Sequence, residues 1–175
     1  MQQGPDYKMK SYKLFIVKLI MPFLPETRCF GFKRRLYKWA GVKVGKNVRI
    51  CSSARIIGAG SLAIGDHSWI GPQCLLISSS SVVIGDYCNL APRVMLVTGL
   101  HEIDLKGASI AGKGLNEDIQ IGSGTWLCAG AIVLGGTVIG RKTILAAGSV
   151  AKGEYGDLEL LAGSLAKVIK KLENA

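Results

Sequence analysis

Apolar positions along most of this chain recur with a period of six residues. Read from Val44, an aliphatic residue falls at Val44, Ile50 and Ile56, then at Ile64, Ile70 and Leu76, then at Ile84, Leu90 and Leu96. The beat resumes at Ile121, Leu127, Val133, Ile139 and Leu145. Glycine often follows it, as in "IGDHSW", "IGDYCN" and "IGRKTI", and a small or β-branched residue usually sits four places on, such as Val48, Ser68, Cys74, Thr125, Thr143 and Ser149. A helix cannot keep such a period on one face, because 3.6 residues per turn walks those positions around its axis. Short strands joined by tight turns can, with the beat residue and the one four places on both pointing inward. Gly, Asp and Asn accept the corner geometry. The pattern predicts an all-β solenoid, a parallel β-helix whose coils bury a continuous aliphatic stack. Its first two blocks each run 20 residues from start to start, 44 to 64 and 64 to 84. An evenly spaced β-sandwich gives no reason for a six-residue phase held through Leu145.

The beat is lost over "LVTGLHEIDLKGASIAGKGLNEDIQIG", Leu96 to Gly122, with His101 at the opening of the gap. A Gly-rich, polar, mobile loop is expected at about 99–118. Repeat scaffolds build sites where a loop leaves them. Histidine suits a general base, since an unperturbed pKa of about 6.5 leaves it mostly neutral at pH 7. Glu102, Asp104, Glu117 and Asp118 are all placed to orient it, and the sequence does not choose among them. His67, three places after a beat residue, sits in a turn expected to face solvent.

Charge divides the chain. Residues 1–50 hold 12 Lys/Arg against 2 Asp/Glu, which is +10, whereas residues 51–175 hold 10 of each, which is zero. The basic segment reads as two amphipathic helices, at about 7–21 and 28–40, and leaves two readings open. Its apolar faces pack on the solenoid base or an oligomer with the lysines solvated, or residues 1–40 settle on anionic lipid at the inner face of a membrane. Nucleic acid is not expected, since the charge comes with no recognition motif or aromatic platform. No run of 18 apolar residues predicts a spanning helix, and "LFIVKLIMPFL", broken by Lys18 and Pro22, is not read as a signal peptide. Five cysteines without a CxxC spacing read as buried free thiols in a reducing, cytoplasmic setting. With two histidines, no metal site is expected. The chain thus divides into a helical segment 1–43, a β-helix 44–152 with its insertion, and a tail 153–175 expected to carry a short C-terminal helix.

"IGSGTWLCAGAIVLGGTVIGRKTILAAGSVAKG" (121–153), "LAGSLAKVIKK" (161–171), "VTGLHEID" and "IGDHSWIG" together resemble the hexapeptide-repeat acyltransferase superfamily, in its sugar and polysaccharide O-acetyltransferase branch. The resemblance implies a left-handed coil, which spacing does not give, and a homotrimer with intersubunit active sites. It implies acetyl-CoA as acyl donor and a sugar or polysaccharide hydroxyl as acceptor. His101 would be the general base, and the backbone N–H of Ala129 would stabilise the oxyanion. Trp126 would pack against the acceptor or the coenzyme's thiol arm, or simply cover the flank of the solenoid. Ala129, Ala147, Gly148 and Lys152 would line the coenzyme groove, and Lys167, with Lys170 and Lys171, would meet its phosphates. The Asn and Asp that hold the acceptor in galactoside- and maltose-type relatives correspond here to Gly71 and Ser79, so a simple galactoside or maltose acceptor is not implied. N-acetylation of a nucleotide-linked amino sugar, O-acetylation of serine, and a non-enzymatic assembly scaffold are the other readings.

Overall fold

The computed structural model describes residues 7–173. Three parallel sheets wrap a triangular prism, each formed by one strand from every coil. Sheet A pairs Lys43–Val44, Ser61–Ile64, Ser81–Ile84, Ile119–Ile121, Thr137–Ile139 and Glu154–Tyr155 in that order. Sheet B starts at Arg49–Ile50 and sheet C at Arg55–Ile57. Register follows the six-residue beat, with Val44 opposite Ile64, Ile64 opposite Ile84, and Ile84 opposite Ile121. All fourteen beat residues are buried. The coil is the left-handed parallel β-helix of its structural neighbours.

The glycine after the beat is required by the close stacking of coils. A Cβ built on Gly85 would lie 2.6 Å from the Ser123 amide nitrogen in the next coil. The small residue four places after the beat has a polar task as well as a steric one. Ser68, Thr125 and Thr143 donate to the carbonyls of Gly85, Gly140 and Gly156, at 2.9, 2.7 and 2.8 Å, each one coil further on. Cys88 takes the same place with its Sγ 3.2 Å from Gly122 O. Three of the five free thiols, Cys51, Cys74 and Cys88, are buried, and burial pushes each up to about 11.

Two helices, α1 (Ser11–Ile20) and α2 (Phe30–Trp39), close the N-terminal end. Leu14 and Val17 of α1 and Tyr37 of α2 join the core. The apolar stripe therefore packs on the solenoid base, but the lysines are not all solvated. Lys33 is buried, its Nζ donating to Pro25 O at 2.8 Å and Glu26 O at 2.9 Å. Burial pulls its ammonium below the usual lysine range.

The expected C-terminal helix is absent; Ala166–Lys171 is a strand. Gly163, at φ 107°, turns the chain back so that Ala166–Lys171 pairs antiparallel with Glu159–Gly163 at the end of sheet B. A helix this short is marginal in water and would leave the last strand's edge unpaired. Strand pairing also carries the solenoid beyond residue 152, since Tyr155 lies opposite Ile139 and Leu161 opposite Leu145.

The outward side of sheet C is apolar above its first strand, where Arg55 and Ile57 are exposed. Leu75, Ile77, Met95, Val97, Ile132, Leu134 and Val150 form it, half-buried by one another.

Candidate active site

The insertion leaves the solenoid at the edge between sheets C and A and carries a two-stranded hairpin. Gly99–Ile103 pairs antiparallel with Ala111–Asn116, with a register shift just after His101. The hairpin is pinched at its root, where Glu117 N donates to Thr98 O at 3.0 Å. Sheet A then resumes at Ile119.

His101 is exposed, and its Nδ1 lies 2.9 Å from the carbonyl oxygen of Gly112 on the opposite strand. A carbonyl can only accept, so Nδ1 carries the proton and Nε2 keeps a free lone pair. The orienting group is thus a backbone carbonyl and none of the four carboxylates considered from sequence. Asp104 instead accepts from Lys106 N and Gly107 N, both at 2.8 Å, which holds its carboxyl below the usual range. Glu117 pairs with Lys152 at 3.2 Å. Asp118 accepts from Ser81 N at 3.0 Å and from the Ser80 hydroxyl. The Glu102 carboxylate has no hydrogen-bond or ion-pair partner among the described residues.

A second set of groups lies at the edge between sheets B and C. The corner position two places past the sheet B beat is Pro72, Pro92, Ala129 and Ala147 in successive coils. Proline offers no N–H. Ala129 and Ala147 restore one, and both residues are exposed. Neither N–H has an acceptor among the described residues. Gly130 and Gly148 follow in the left-handed region, at φ 70° and 68°, and open space surrounds the point where a Cβ on Gly148 would sit. The last two such corners therefore form a shallow shelf with two exposed residues whose N–H groups have no acceptor among the described residues.

Trp126 stands beside this shelf on the outer side of sheet B, 48% exposed. It shares that face with Asn89, directly opposite it in register, and Trp69 beyond. Sequence reasoning passed over Trp69. Its signal was its place directly before a beat residue, in "HSWIG", which matches that of Trp126 in "GTWLC". The Arg49 guanidinium lies 4.9 Å from the Trp69 ring centre.

The residues singled out from sequence thus fall into two groups on opposite edges of sheet C. His101, Ser79 and Lys152 lie at the edge toward sheet A, where Ser79 N donates to Thr98 Oγ1 at 2.8 Å beneath the hairpin root. Gly71, Ala129, Ala147 and Gly148 lie at the edge toward sheet B. Gly71 and Ser79 sit at opposite ends of strand Leu75–Ile77 and do not meet within one chain. Gly71 is a packing glycine, since a Cβ there would fall 2.6 Å from Leu90 O. Lys167 is exposed on the last strand of sheet B, apart from both groups. His67 stacks flat on Tyr87 with ring centres 4.8 Å apart, at the third edge. No cluster of three or more metal-ligating side chains occurs among the described residues.

Comparison with known proteins agrees with this architecture. The family profile for bacterial transferase hexapeptide (six repeats) matches residues 118–153. A hexapeptide-repeat-containing acetyltransferase from Vibrio cholerae, solved with acetyl coenzyme A, superposes with a TM-score of 0.74 at 18% identity, over 94% of this chain and 87% of that one. Residues 118–153 carry the bacterial transferase hexapeptide repeat, and the chain shares the fold of that acetyltransferase. A maltose O-acetyltransferase from Clostridium difficile 630 superposes on this hexapeptide-repeat protein with a TM-score of 0.70 at 21% identity, covering 94% of this chain and 87% of the other. A Schizosaccharomyces pombe protein named as an acetyltransferase is 36% identical over 77 residues, which are 44% of this chain and 37% of the yeast protein's length.

Proposed function

We propose that this hexapeptide-repeat protein is an acetyl-CoA-dependent O-acetyltransferase acting on a sugar hydroxyl of a bacterial surface polysaccharide or its precursor. The observation that carries the reading is the complementarity of the two edge groups. One holds a histidine with its Nε2 lone pair free, and the other holds unpaired N–H donors over an open shelf. Acyl transfer to an alcohol needs both, a base for the hydroxyl proton and a donor for the developing oxyanion.

The two groups are separated by the width of sheet C, about 15 Å of strand and corner. The apolar outer side of that sheet supports a way to join them. Three copies packed with the strands of sheet C above Arg55–Ile57 toward a common axis would bury it and form a closed, heterologous ring. Each copy's hairpin edge would then adjoin the Ala129 edge of the next. We read the protein as a homotrimer with three such sites on this ground.

The donor supplies an acetyl group activated as a thioester. The small corner residues Ala129, Ala147 and Gly148 leave room for a narrow chain to lie along the shelf, with Lys152 of the adjoining copy as a cationic contact beside it. His101 Nε2 takes the acceptor's hydroxyl proton and, as imidazolium, returns it to the departing sulfur. The Ala129 N–H accepts no reorganisation cost, being already unpaired. Trp126, Asn89 and Trp69 form an open wall on the acceptor side, which favours an extended sugar polymer over one enclosed small sugar.

No helix among the described residues is long and apolar enough to cross a membrane. A cytoplasmic setting, with residues 1–40 as a peripheral contact on the membrane's inner face, is part of the proposal. The test is incubation with acetyl-CoA and a panel of oligosaccharides, amino sugars and serine, read by mass. A single added acetyl group on an oligosaccharide hydroxyl supports the reading, and acetylation of amines alone contradicts it.

A further inference from the structure

Helix α1, "SYKLFIVKLI", carries two lysines and no acid, and it is apolar on more than the stripe it buries. Leu14 and Val17 cap the solenoid, while Tyr12, Phe15, Ile16 and Leu19 are 63%, 58%, 39% and 54% exposed. A helix apolar around most of its circumference is ordinarily covered on all sides. Between α1 and the first strand of sheet C lies a groove of about 500 Å³, within the size range of ligand sites. Leu14, Phe15, Val17, Met21, Ile56 and Ile57 line it.

The polar groups inside the groove are already engaged. The hydroxyl of Ser11 donates to Gly58 O, that of Tyr37 to Ala54 O, that of Ser52 to Pro25 O, and that of Ser53 to the Glu26 carboxylate. Each hydroxyl proton of the lining is thus committed within the protein, which leaves no free side-chain hydroxyl donor for a sugar, a nucleotide or a peptide backbone. What remains polar is at the mouth, where Lys18 and Arg55 lie without an acidic partner among the described residues. An apolar interior with two unpaired cations at the entrance fits an anionic amphiphile. Phe15 belongs both to the groove and to the exposed face of α1, so the two surfaces are continuous.

We infer that this groove binds one hydrocarbon chain of an anionic lipid, with Lys18 and Arg55 on its head group. The inference deepens the peripheral membrane contact proposed above and is independent of the acyl-transfer reading. It gives the basic segment a specific lipid site in place of charge attraction alone.

The test uses full-length protein and cis-parinaric acid, a fluorescent single-chain anion, beside the methyl ester of the same chain. The acid is expected to bind saturably. Ile57→Trp fills the groove from an exposed position and is expected to abolish that binding. The double variant Lys18→Ala/Arg55→Ala is expected to weaken it about thirtyfold, roughly fivefold for each cation lost near an anionic head group. The ester is expected to bind the wild type as weakly as the acid binds the double variant. Circular dichroism and acetyl-CoA turnover on a soluble acceptor, both unchanged in these variants, separate loss of the lipid site from loss of fold or catalysis. Absence of saturable binding, or equal binding by wild type and both variants, overturns the inference. Equal affinity for acid and ester overturns the head-group assignment. Self-association that depends on Phe15 without any fatty-acid binding assigns the face to a second copy and also overturns it.

Discussion

The His101 imidazole reaches Gly112 across the hairpin, its Nδ1 2.9 Å from the glycine carbonyl oxygen, while its backbone pairs with Gly114. The Nδ1 contact fixes the tautomer of the neutral ring and leaves the Nε2 lone pair for the proposed base role. Gly112 is also crowded, since a Cβ there would lie 2.9 Å from the Asp104 Cβ and 3.2 Å from Glu102 O. Gly112→Val should therefore shift the strand and its carbonyl without touching the β-helix core. We expect kcat to fall by about a hundredfold, as for an ångström-scale misplacement of a catalytic group. KM for acetyl-CoA should be unchanged, because the Ala129 shelf is untouched. Steady-state kinetics with thermal unfolding as control reads both.

The division of the site between two edges makes a prediction about mixed oligomers. His101→Ala removes the base, and Gly148→Trp fills the open space on the shelf, so each homo-oligomer should be inactive. Unfolding the two together and refolding the mixture should restore activity, because some interfaces then pair an intact hairpin with an intact shelf. No recovery in the mixture, with correct oligomer size, would show that each chain carries its own complete site.

Lys152 bonds Glu117 at 3.2 Å, with both side chains more than two-fifths exposed. Such a pair contributes at most about 1 kcal/mol, less once solvent screening is counted. If Lys152 is a contact for the donor, Lys152→Ala raises KM for acetyl-CoA severalfold while Glu117→Gln does not. Equal effects of the two substitutions on KM would make the pair a purely structural tie between the hairpin root and the top coil.

Thr125 is fully buried, and its hydroxyl donates to Gly140 O at 2.7 Å while accepting from Thr143 N at 3.3 Å. Thr125→Val keeps the shape and removes both bonds. The expected cost is about 1–3 kcal/mol, the range for leaving buried backbone groups unpaired. Urea unfolding should show it as a lower midpoint with an unchanged slope.

Much of the scaffold was legible because a β-helix must repeat a six-residue inward stack to close its prism, and the beat residues from Val44 to Leu145 do so on either side of the insertion. The small residue four places on was legible as steric. Its hydrogen bond to the next coil was not, because Ser68, Cys88 and Thr125 differ in chemistry and share only the carbonyl they reach. His101 stood out by residue type and by the break in the beat. Its partner did not, since a backbone carbonyl has no signature in sequence, and the nearby carboxylates drew attention that Gly112 could not. The tail misled for a related reason. "AKVIKK" carries helix-forming lysines, but the free edge of Glu159–Gly163 offers backbone partners that a six-residue helix would forgo. The free N–H of Ala129 was expected from resemblance, whereas its physical origin, alanine where earlier coils have Pro72 and Pro92, needed the corners aligned in space.

The measurement that bears most directly on the central claim is coenzyme A release from acetyl-CoA with an oligosaccharide acceptor, compared between wild type and His101→Ala at matched oligomeric state. Loss of a general base should lower kcat by about a hundredfold to ten-thousandfold with little change in KM for acetyl-CoA. Turnover in the variant equal to that of the wild type would contradict the account.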